Sequence, residues 1–187
     1  MVGRVFPLPT IIPDNARQGG VLCLLFPVDG QLNVLLMKRT EDGTAHSGQV
    51  SFPGGSRDHA DKDMIATALR ETEEEVGIPR EKVQILGALT PLYIPVSNFN
   101  VFPAVGFAER LPPVVLSRNE VAHTFEVPLG VLFQPGRKHK RDVLSPANGL
   151  TIKGVNAYIL PDETIIWGAT AMILSELEAV LSEPDED

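Results

Sequence analysis

Three of the four glutamates within residues 70–77, Arg-Glu-Thr-Glu-Glu-Glu-Val-Gly, have the spacing of a metal-binding helix face. At about 100° per residue, Glu71, Glu74 and Glu75 fall within an arc of roughly 100°. Carboxylates at helical spacings of three and four repel one another and destabilise a helix unless another group offsets their charge. Hard divalent cations such as Mg²⁺ and Mn²⁺ take oxygen ligands and tolerate carboxylate clusters. The pattern therefore predicts a divalent metal site on a helix.

Glycines flank this helix at positions where the backbone has to turn. Gly54-Gly55 ahead of the helix allows the chain to approach a ligand closely, because glycine has no Cβ. Gly77 stands where a helix commonly ends in a left-handed residue. A neighbouring arc of the helix predicts the face that packs on a sheet, formed by Ile65, Leu69, Thr72 and Val76.

The acidic run also has an ordinary explanation, since glutamate is a good helix former and most acidic helix faces are simply solvated. The metal site is favoured by the combination of Gly-Gly, an acidic residue, Arg-Glu, Glu-Glu and Gly at fixed offsets. This combination resembles the Nudix box, G-x5-E-x7-R-E-U-x-E-E-x-G-U, where U is apolar. The chain departs from the box at Thr72, where an apolar residue is usual, and at Asp61, where Glu is usual. Asp61 is also separated from Arg70 by eight residues rather than seven.

Segments on both sides of the box resemble the coenzyme A pyrophosphatase branch of the Nudix hydrolases. They are residues 35–40, Leu-Leu-Met-Lys-Arg-Thr, and 48–55, Gly-Gln-Val-Ser-Phe-Pro-Gly-Gly, with agreement again at 89–98, 125–129 and 166–171. The branch also has Asp at the position of Asp61 and the same eight-residue spacer. It usually has an arginine four residues before Gly48, where this chain has Thr44. The resemblance covers most of residues 20–181.

The resemblance implies an α/β fold, a Nudix-like α/β/α sandwich with a mixed β-sheet. Residues 1–187 are predicted to form one domain, with an N-terminal arm at 1–19 and an acidic tail at 183–187. Apolar runs predict a hairpin of Val21–Pro27 and Leu32–Arg39 around Asp29-Gly30, and later strands at 83–89, 102–109, 150–160 and 164–167. The segment 90–100 is too rich in proline for a central strand and suits the lining of a cleft. Gly168–Ser182 is predicted to be a closing helix with Met172, Ile173, Leu177, Val180 and Leu181 inward.

The resemblance also implies roles for residues of the box. Glu71, Glu74 and Glu75 would be ligands for Mg²⁺ or Mn²⁺, with a backbone carbonyl near Gly55, so Glu71 and Glu74 are candidate catalytic residues. Arg70 is expected to orient the carboxylates through Glu73 or Glu74, because residues three and four apart on a helix face each other. Family enzymes often supply a general base from outside the box. The candidate here is Glu120, for which an exposed loop acid is the alternative.

Candidate substrate-binding residues lie outside the box. Lys38 and Arg39 put two cations at a strand end, His46 lies beside the loop that enters the box, and Asn98 belongs to the proposed cleft lining. Residues 137–141, Arg-Lys-His-Lys-Arg, form the one basic cluster of the sequence and are interpreted as a solvated hairpin tip rather than a phosphate site.

Composition excludes several classes of function. The chain has 187 residues, 43% of them hydrophobic, and its net charge of −8 argues against a general nucleic-acid binder. It contains no apolar run of about 18 residues, so no membrane span is predicted. A single cysteine, Cys23 in an apolar run, excludes a disulfide framework and is interpreted as a buried thiol. A cytoplasmic protein with a small-molecule substrate is predicted, and a homodimer is left open.

The sequence therefore predicts a metal-dependent pyrophosphate hydrolase. Coenzyme A or an acyl ester is the expected substrate, with 3′,5′-ADP and (acyl-)4′-phosphopantetheine as the products that the resemblance implies. Two alternatives remain at this point. One is a Nudix pyrophosphatase acting on ADP-ribose, a dinucleotide or another nucleoside diphosphate derivative, and the other is a Nudix-fold binding module without catalysis.

Overall fold

The computed structural model describes residues 12–43, 46–146 and 149–182, which form eleven strands and three helices. The strands are β1 (Arg17–Val28), β2 (Gln31–Arg39), β3 (Val50–Ser51), β4 (Gly54–Ser56), β5 (Gln84–Ala88), β6 (Leu92–Ile94), β7 (Phe99–Phe107), β8 (Val121–Pro128), β9 (Lys138–Leu144), β10 (Thr151–Ile159) and β11 (Ile165–Trp167). The helices are α1 (Met64–Val76), α2 (Leu129–Leu132) and α3 (Gly168–Ser182). Short 3₁₀ turns lie at Arg80–Lys82 and Pro95–Ser97.

The main sheet is mixed, as predicted. Its strand order is β3-β2-β1-β7-β5, with β4 also paired to β1, β6 to β7 and β8 to β2. Only β1 and β7 run parallel among the strand pairs of the described residues, with Arg17 opposite Phe99 at the start of the ladder. The predicted hairpin joins β1 to β2 through Asp29 and Gly30, both with positive φ, as a type I′ turn requires.

The core lies on both faces of β1, because side chains along a strand alternate between its two sides. Leu22, Leu24 and Phe26 are fully buried in a cluster with Ala68 and Val76 of α1. The other face contributes to a second cluster with side chains of α3, formed by Cys23, Leu25, Ile173, Leu174 and Leu177. Helices therefore cover opposite faces of the sheet, which confirms the predicted α/β/α sandwich.

A second sheet, in the order β11-β10-β9, adjoins α3. Its edge strand β9 corrects one prediction, since most of the basic cluster at 137–141 lies in a strand rather than at a hairpin tip. Lys138 forms an ion pair with Glu178 of α3, and its ammonium lies 5.2 Å from the centre of the Tyr158 ring. A charged edge strand of this kind resists pairing with other chains.

Other predictions need smaller corrections. The closing helix has the predicted bounds, but Met172, Val180 and Leu181 are exposed, and only Ile173 and Leu177 of the five inward residues are buried. The cleft-lining segment 90–100 contains the short strand β6, which pairs with β7. Strand β8 was not predicted. Strand β1 begins at Arg17, within the predicted arm 1–19, whereas residues 1–11, Thr44 and the tail 183–187 lie outside the described residues.

Candidate active site

Helix α1 is fixed at both ends by the local signals that its sequence carries. Asp63 is the N-cap, and its Oδ1 accepts a hydrogen bond from the Ala66 amide at 2.7 Å. Gly77 ends the helix in the left-handed conformation with φ of 71°, and its N–H donates to the Glu73 carbonyl at 3.0 Å. The helix therefore begins and ends where it holds the three box glutamates beside β4.

Arg70 is the charged centre of this helix face. Its guanidinium binds Glu71 Oε1 at 2.9 Å and Glu74 Oε2 at 3.0 Å. It also donates to the Ser56 carbonyl at 3.0 Å. Of the two predicted partners, Glu74 contacts Arg70, whereas Glu73 pairs instead with Arg80 at 2.8 Å.

Glu75 is buried, with a side chain only 4% exposed. Its Oε2 accepts the Gly54 amide hydrogen at 2.8 Å, and its Oε1 lies 3.4 Å from Arg39 Nη1. Burial raises the pKa of Glu75 to about 7, against the opposing effects of the Gly54 amide and Arg39, because removing a carboxylate from water disfavours its charged form. Nearby Glu71 and Glu120 raise it further. A bound cation beside Glu75 would stabilise its charged form and so lower its pKa again.

Glu71 lies against Gly55 in β4. A Cβ on residue 55 would overlap the Glu71 carboxylate, so only glycine leaves room for the carboxylate at this point. Burial also raises the pKa of Glu71, opposed by Arg70, and the charges of Glu74 and Glu120 add to the increase. Gly55 and Glu71, predicted from the box to share a site, are therefore in direct proximity.

Glu120 approaches this group from outside the helix. It is exposed in the turn before β8, and its backbone carbonyl accepts the Thr40 amide hydrogen at 3.0 Å. Its charge contributes to the raised pKa of both Glu71 and Glu75, which places it close enough for electrostatic coupling to the box. This position agrees with the base hypothesis, although Glu120 also meets the description of an exposed loop acid.

The carboxylates of Glu71, Glu74 and Glu75 are suitable ligands for a hard divalent ion, although each already forms an ion pair or hydrogen bond within the protein. Within the described ranges, no group of three or more Asp, Glu, His or Cys side chains is arranged so that it could hold a metal ion as it stands. Glu71 and Glu74 contact Arg70, while Glu75 contacts Arg39 and the Gly54 amide. Three carboxylates on one helix face, with a side-chain-free strand at Gly55 against them, offer the oxygen ligands that Mg²⁺ and Mn²⁺ prefer. The residues therefore fit such an ion chemically.

The predicted substrate-binding residues are not all brought to this site. Arg39 reaches Glu75, and Lys38 precedes it at the end of β2. His46 contacts Gln49, with Nδ1 and Oε1 3.2 Å apart, in the loop that precedes β3. Asn98 instead makes structural contacts, since its Oδ1 accepts from the Tyr93 hydroxyl at 2.8 Å and its amide donates to the Asn15 carbonyl at 3.1 Å.

Sequence reasoning missed the function of Asp61 and the presence of Arg57 beside it. Asp61 binds Arg70 through both carboxylate oxygens, and Arg57 Nη2 donates to the Asp61 carbonyl at 3.4 Å. The box pattern contained the signal for the Asp61 pair, because an acid and an arginine recur in it at a fixed offset. No sequence signal marked Arg57.

A glycine-delimited helix that presents three carboxylates beside a mixed sheet is the arrangement that the resemblance to the Nudix box implies. The family model described as "NUDIX domain" matches residues 16–147. The chain is 40% identical over 165 residues to the uncharacterized Nudix hydrolase NudL of Salmonella paratyphi B, covering 87% of this chain and 82% of the relative. The chain therefore belongs to the Nudix family, and it is a Nudix pyrophosphohydrolase, an enzyme type that generally uses divalent metal ions.

Solved structures agree on the fold. The Nudix hydrolase RenU from M. smegmatis has a TM-score of 0.62 at 16% identity, over 92% of this chain and 90% of that one. The NUDIX domain of Shewanella oneidensis NrtR, solved with ADP ribose, has a TM-score of 0.56 at 16% identity, over 89% of this chain and 88% of that one. None of the helices in the described ranges has the length and apolar character that a membrane crossing needs.

Proposed function

We propose that the enzyme hydrolyses the pyrophosphate bond of coenzyme A or its acyl esters, giving 3′,5′-ADP and 4′-phosphopantetheine or its acyl form. One observation carries the proposal. The segment 48–55, which resembles the coenzyme A pyrophosphatase branch, contains β3 and the first two residues of β4 and leads directly into the candidate site. Its last two residues supply the Gly54 amide that binds Glu75 and the glycine that accommodates Glu71. The contacts between this branch-like segment and the proposed metal ligands support the proposal.

In this reaction a water molecule attacks one phosphorus of the pyrophosphate in line, and the bond from that phosphorus to the bridging oxygen breaks. Glu71, Glu74 and Glu75, with a backbone carbonyl near Gly55, would hold Mg²⁺ or Mn²⁺. Such an ion, when bound, supplies positive charge against the phosphate oxygens and lowers the pKa of water.

The protein groups then have distinct roles in the proposed mechanism. Arg70 positions the Glu71 and Glu74 carboxylates, which it contacts at 2.9 and 3.0 Å. Arg39 and the Gly54 amide position Glu75. Glu120, exposed and electrostatically coupled to Glu71 and Glu75, accepts the proton of the attacking water. Lys38 and His46 remain candidate contacts to the substrate.

The test is direct identification of the products. Purified enzyme with Mg²⁺ or Mn²⁺ is incubated with coenzyme A, and the products are identified by chromatography and mass spectrometry. Equal amounts of 3′,5′-ADP and 4′-phosphopantetheine are expected. Release of inorganic phosphate alone, or intact coenzyme A after long incubation with either metal, would contradict the proposed reaction.

The second candidate function is hydrolysis of ADP-ribose or another nucleoside diphosphate derivative. It is favoured by the ADP ribose bound to the related NrtR domain and needs the same metal and carboxylates. The intact Glu71, Glu74 and Glu75 argue against a non-catalytic binding module, which has no need of such a cluster. Cytoplasmic localisation and the single-domain organisation remain predictions of the sequence, and a homodimer is left open.

A further inference from the structure

A cavity of about 490 Å³ opens beside the start of β1, next to the loop that leads from β4 to α1. It is lined by Arg17, Gln18, Ser56, Arg57, Asp58 and His59, which we call the β1 cleft. Two guanidinium groups and an imidazole thus share the cleft with one carboxylate. In a chain with a net charge of −8, such a local excess of cationic groups is where an anion would bind.

The two arginines of the β1 cleft have unused hydrogen-bonding capacity. Neither forms an ion pair with a carboxylate of residues 12–43, 46–146 or 149–182, whereas Arg39, Arg70 and Arg80 each do. The Asp58 carboxylate accepts a hydrogen bond from the Ala60 amide at 2.8 Å, within its own loop. Guanidinium groups without a carboxylate partner present paired N–H donors that match the geometry of a phosphate.

Both arginines are nevertheless held in place. Arg17 lies over the Phe99 ring at 5.2 Å from its centre, and its Nη2 donates to the Ser97 carbonyl at 3.2 Å. Arg57 Nη2 donates to the Asp61 carbonyl at 3.4 Å, and the Arg57 backbone amide donates to the Gln18 carbonyl at 2.9 Å, which ties the loop to β1. Because these contacts engage a ring face and backbone oxygens, they orient the side chains without neutralising their charge. The β1 cleft is therefore organised before any ligand binds.

The β1 cleft shares a wall with the active site. The Ser56 carbonyl accepts a hydrogen bond from Arg70 at 3.0 Å, and the preceding residue, Gly55, lies against Glu71. Arg57 follows Gly55 by two residues, a separation of about 7 Å for extended chain. Residues that line the cleft and the glycine that lies against Glu71 are therefore neighbours on one short segment.

We propose that the β1 cleft binds a phosphomonoester of the substrate, a group separate from the pyrophosphate that is cleaved. The inference rests on the proposed function, because coenzyme A carries such a group on its ribose and dephospho-coenzyme A and ADP-ribose do not. The basic strand β9 is the competing location for this phosphate. In β9 Lys138 is paired with Glu178, while Lys140 and Arg141, like Arg17 and Arg57, have no carboxylate partner in the described part of the chain. The β1 cleft is favoured because it adjoins the box through Ser56, whose carbonyl binds Arg70.

The experiment compares coenzyme A with dephospho-coenzyme A, which differ only in that phosphate. The variants Arg17→Gln and Arg57→Gln, singly and combined, are assayed for kcat/KM on both substrates. Wild-type enzyme should prefer coenzyme A, and each substitution should lower that preference by about tenfold, a typical loss for one charge-assisted contact to phosphate. Arg110→Gln, which removes the same charge from an exposed turn after β7, should leave the preference unchanged. An unchanged preference in the double variant would overturn the inference while leaving the reaction intact.

A binding measurement keeps the inference independent of turnover. Calorimetry on metal-free protein compares 3′,5′-ADP with 5′-AMP, in wild type and in the double Arg17→Gln, Arg57→Gln variant. Tighter binding of 3′,5′-ADP that is lost in the double variant supports the subsite, even if coenzyme A is not hydrolysed and the proposed function fails. Equal binding of the two nucleotides by wild type, or a preference that the double variant retains, would overturn the subsite. Loss of the preference in a Lys138→Gln, Lys140→Gln variant instead would assign the phosphate to β9.

Discussion

Arg70 and Asp61 form a two-point ion pair, with Nε to Oδ1 at 3.0 Å and Nη2 to Oδ2 at 2.9 Å. Asp61 is buried and also accepts hydrogen bonds from the Asp58 amide and the Thr67 hydroxyl, both at 2.9 Å. These contacts, led by the Arg70 bond, hold the pKa of Asp61 well below its usual range. Asp61 therefore positions Arg70 and, through it, Glu71 and Glu74.

We expect Asp61→Asn to destabilise the protein by about 2 kcal/mol at pH 7, the scale of hydrogen bonds to charged groups. Because folding lowers the pKa of Asp61, its contribution is fully present above the unfolded-state pKa of about 3.9 and is lost progressively as pH falls from there through the lower folded-state pKa. Urea unfolding of both proteins should show a difference in unfolding free energy that begins to shrink near about pH 4 and continues to shrink as pH falls further. A difference in unfolding free energy that stays constant at acidic pH would contradict this role of Asp61. The control is Glu109→Gln, which removes a carboxylate from an exposed site.

Gly55→Ala should reduce activity without unfolding the protein. The added methyl group would displace the Glu71 carboxylate and so disturb the proposed ligand set. We expect kcat to fall by about tenfold or more, because small displacements of catalytic groups cost about that much or more in rate. Gly87→Ala in β5 is the matched control, since its Cβ would meet nothing within 4 Å. Wild-type kcat in Gly55→Ala would show that the Glu71 position is not critical.

The variant Glu74→Gln tests whether Glu74 is a metal ligand needed for catalysis or an ordinary solvated acid on the helix surface. The Glu74 side chain is 57% exposed and pairs with Arg70, so its loss should change metal-free stability by less than about 1 kcal/mol. Activity should fall by about 100-fold, since lost charge stabilisation by the ion is worth several kcal/mol. The rise in Tm on adding Mg²⁺ or Mn²⁺ should shrink, because ligands that bind only the native state stabilise it.

The control for this variant is Glu73→Gln, which removes the same charge from the same helix but from a residue paired with Arg80. It should keep both the activity and the metal-dependent rise in Tm. Near-normal turnover in Glu74→Gln, or an unchanged Tm response, would make Glu74 a solvated residue. Severe destabilisation of the metal-free protein would make it structural.

Glu120→Gln should lower kcat by about 100-fold with little change in KM, the usual scale for removing a general base. The acidic limb of the pH–kcat profile should also change, since a base must be deprotonated to act. Glu126→Gln, an exposed substitution in β8, should do neither. Retention of the wild-type pH profile in Glu120→Gln would exclude it as the base.

The parts of the fold that sequence predicted are those governed by local signals. The Asp29-Gly30 turn, the end of α1 at Gly77 and the bounds of the closing helix depend on residues within a few positions. The exposure of Met172 on that helix was not predictable, because helical periodicity cannot show where the neighbouring sheet ends. Strand β9 was missed because five exposed residues in succession hide the alternation that marks a strand.

The site was predictable only as far as the box extends. Spacing identified Glu71, Glu74 and Glu75 as one face, but the burial of Glu75 depends on Arg39 and Gly54, 36 and 21 residues away. The β1 cleft combines Arg17 with Arg57 across the β1–β4 pairing. No local sequence pattern indicates a contact between such distant segments, so the β1 cleft could be found only in the folded structure.

The most direct test of the proposed function is the ratio of kcat/KM for coenzyme A to that for ADP-ribose, measured on wild-type enzyme with Mg²⁺ and again with Mn²⁺. Both substrates contain a pyrophosphate that the same metal site could cleave, so the ratio reports substrate recognition rather than reaction class. We predict a ratio well above one with each metal. Equal or faster turnover of ADP-ribose would contradict the coenzyme A assignment and would leave a Nudix pyrophosphohydrolase of different specificity.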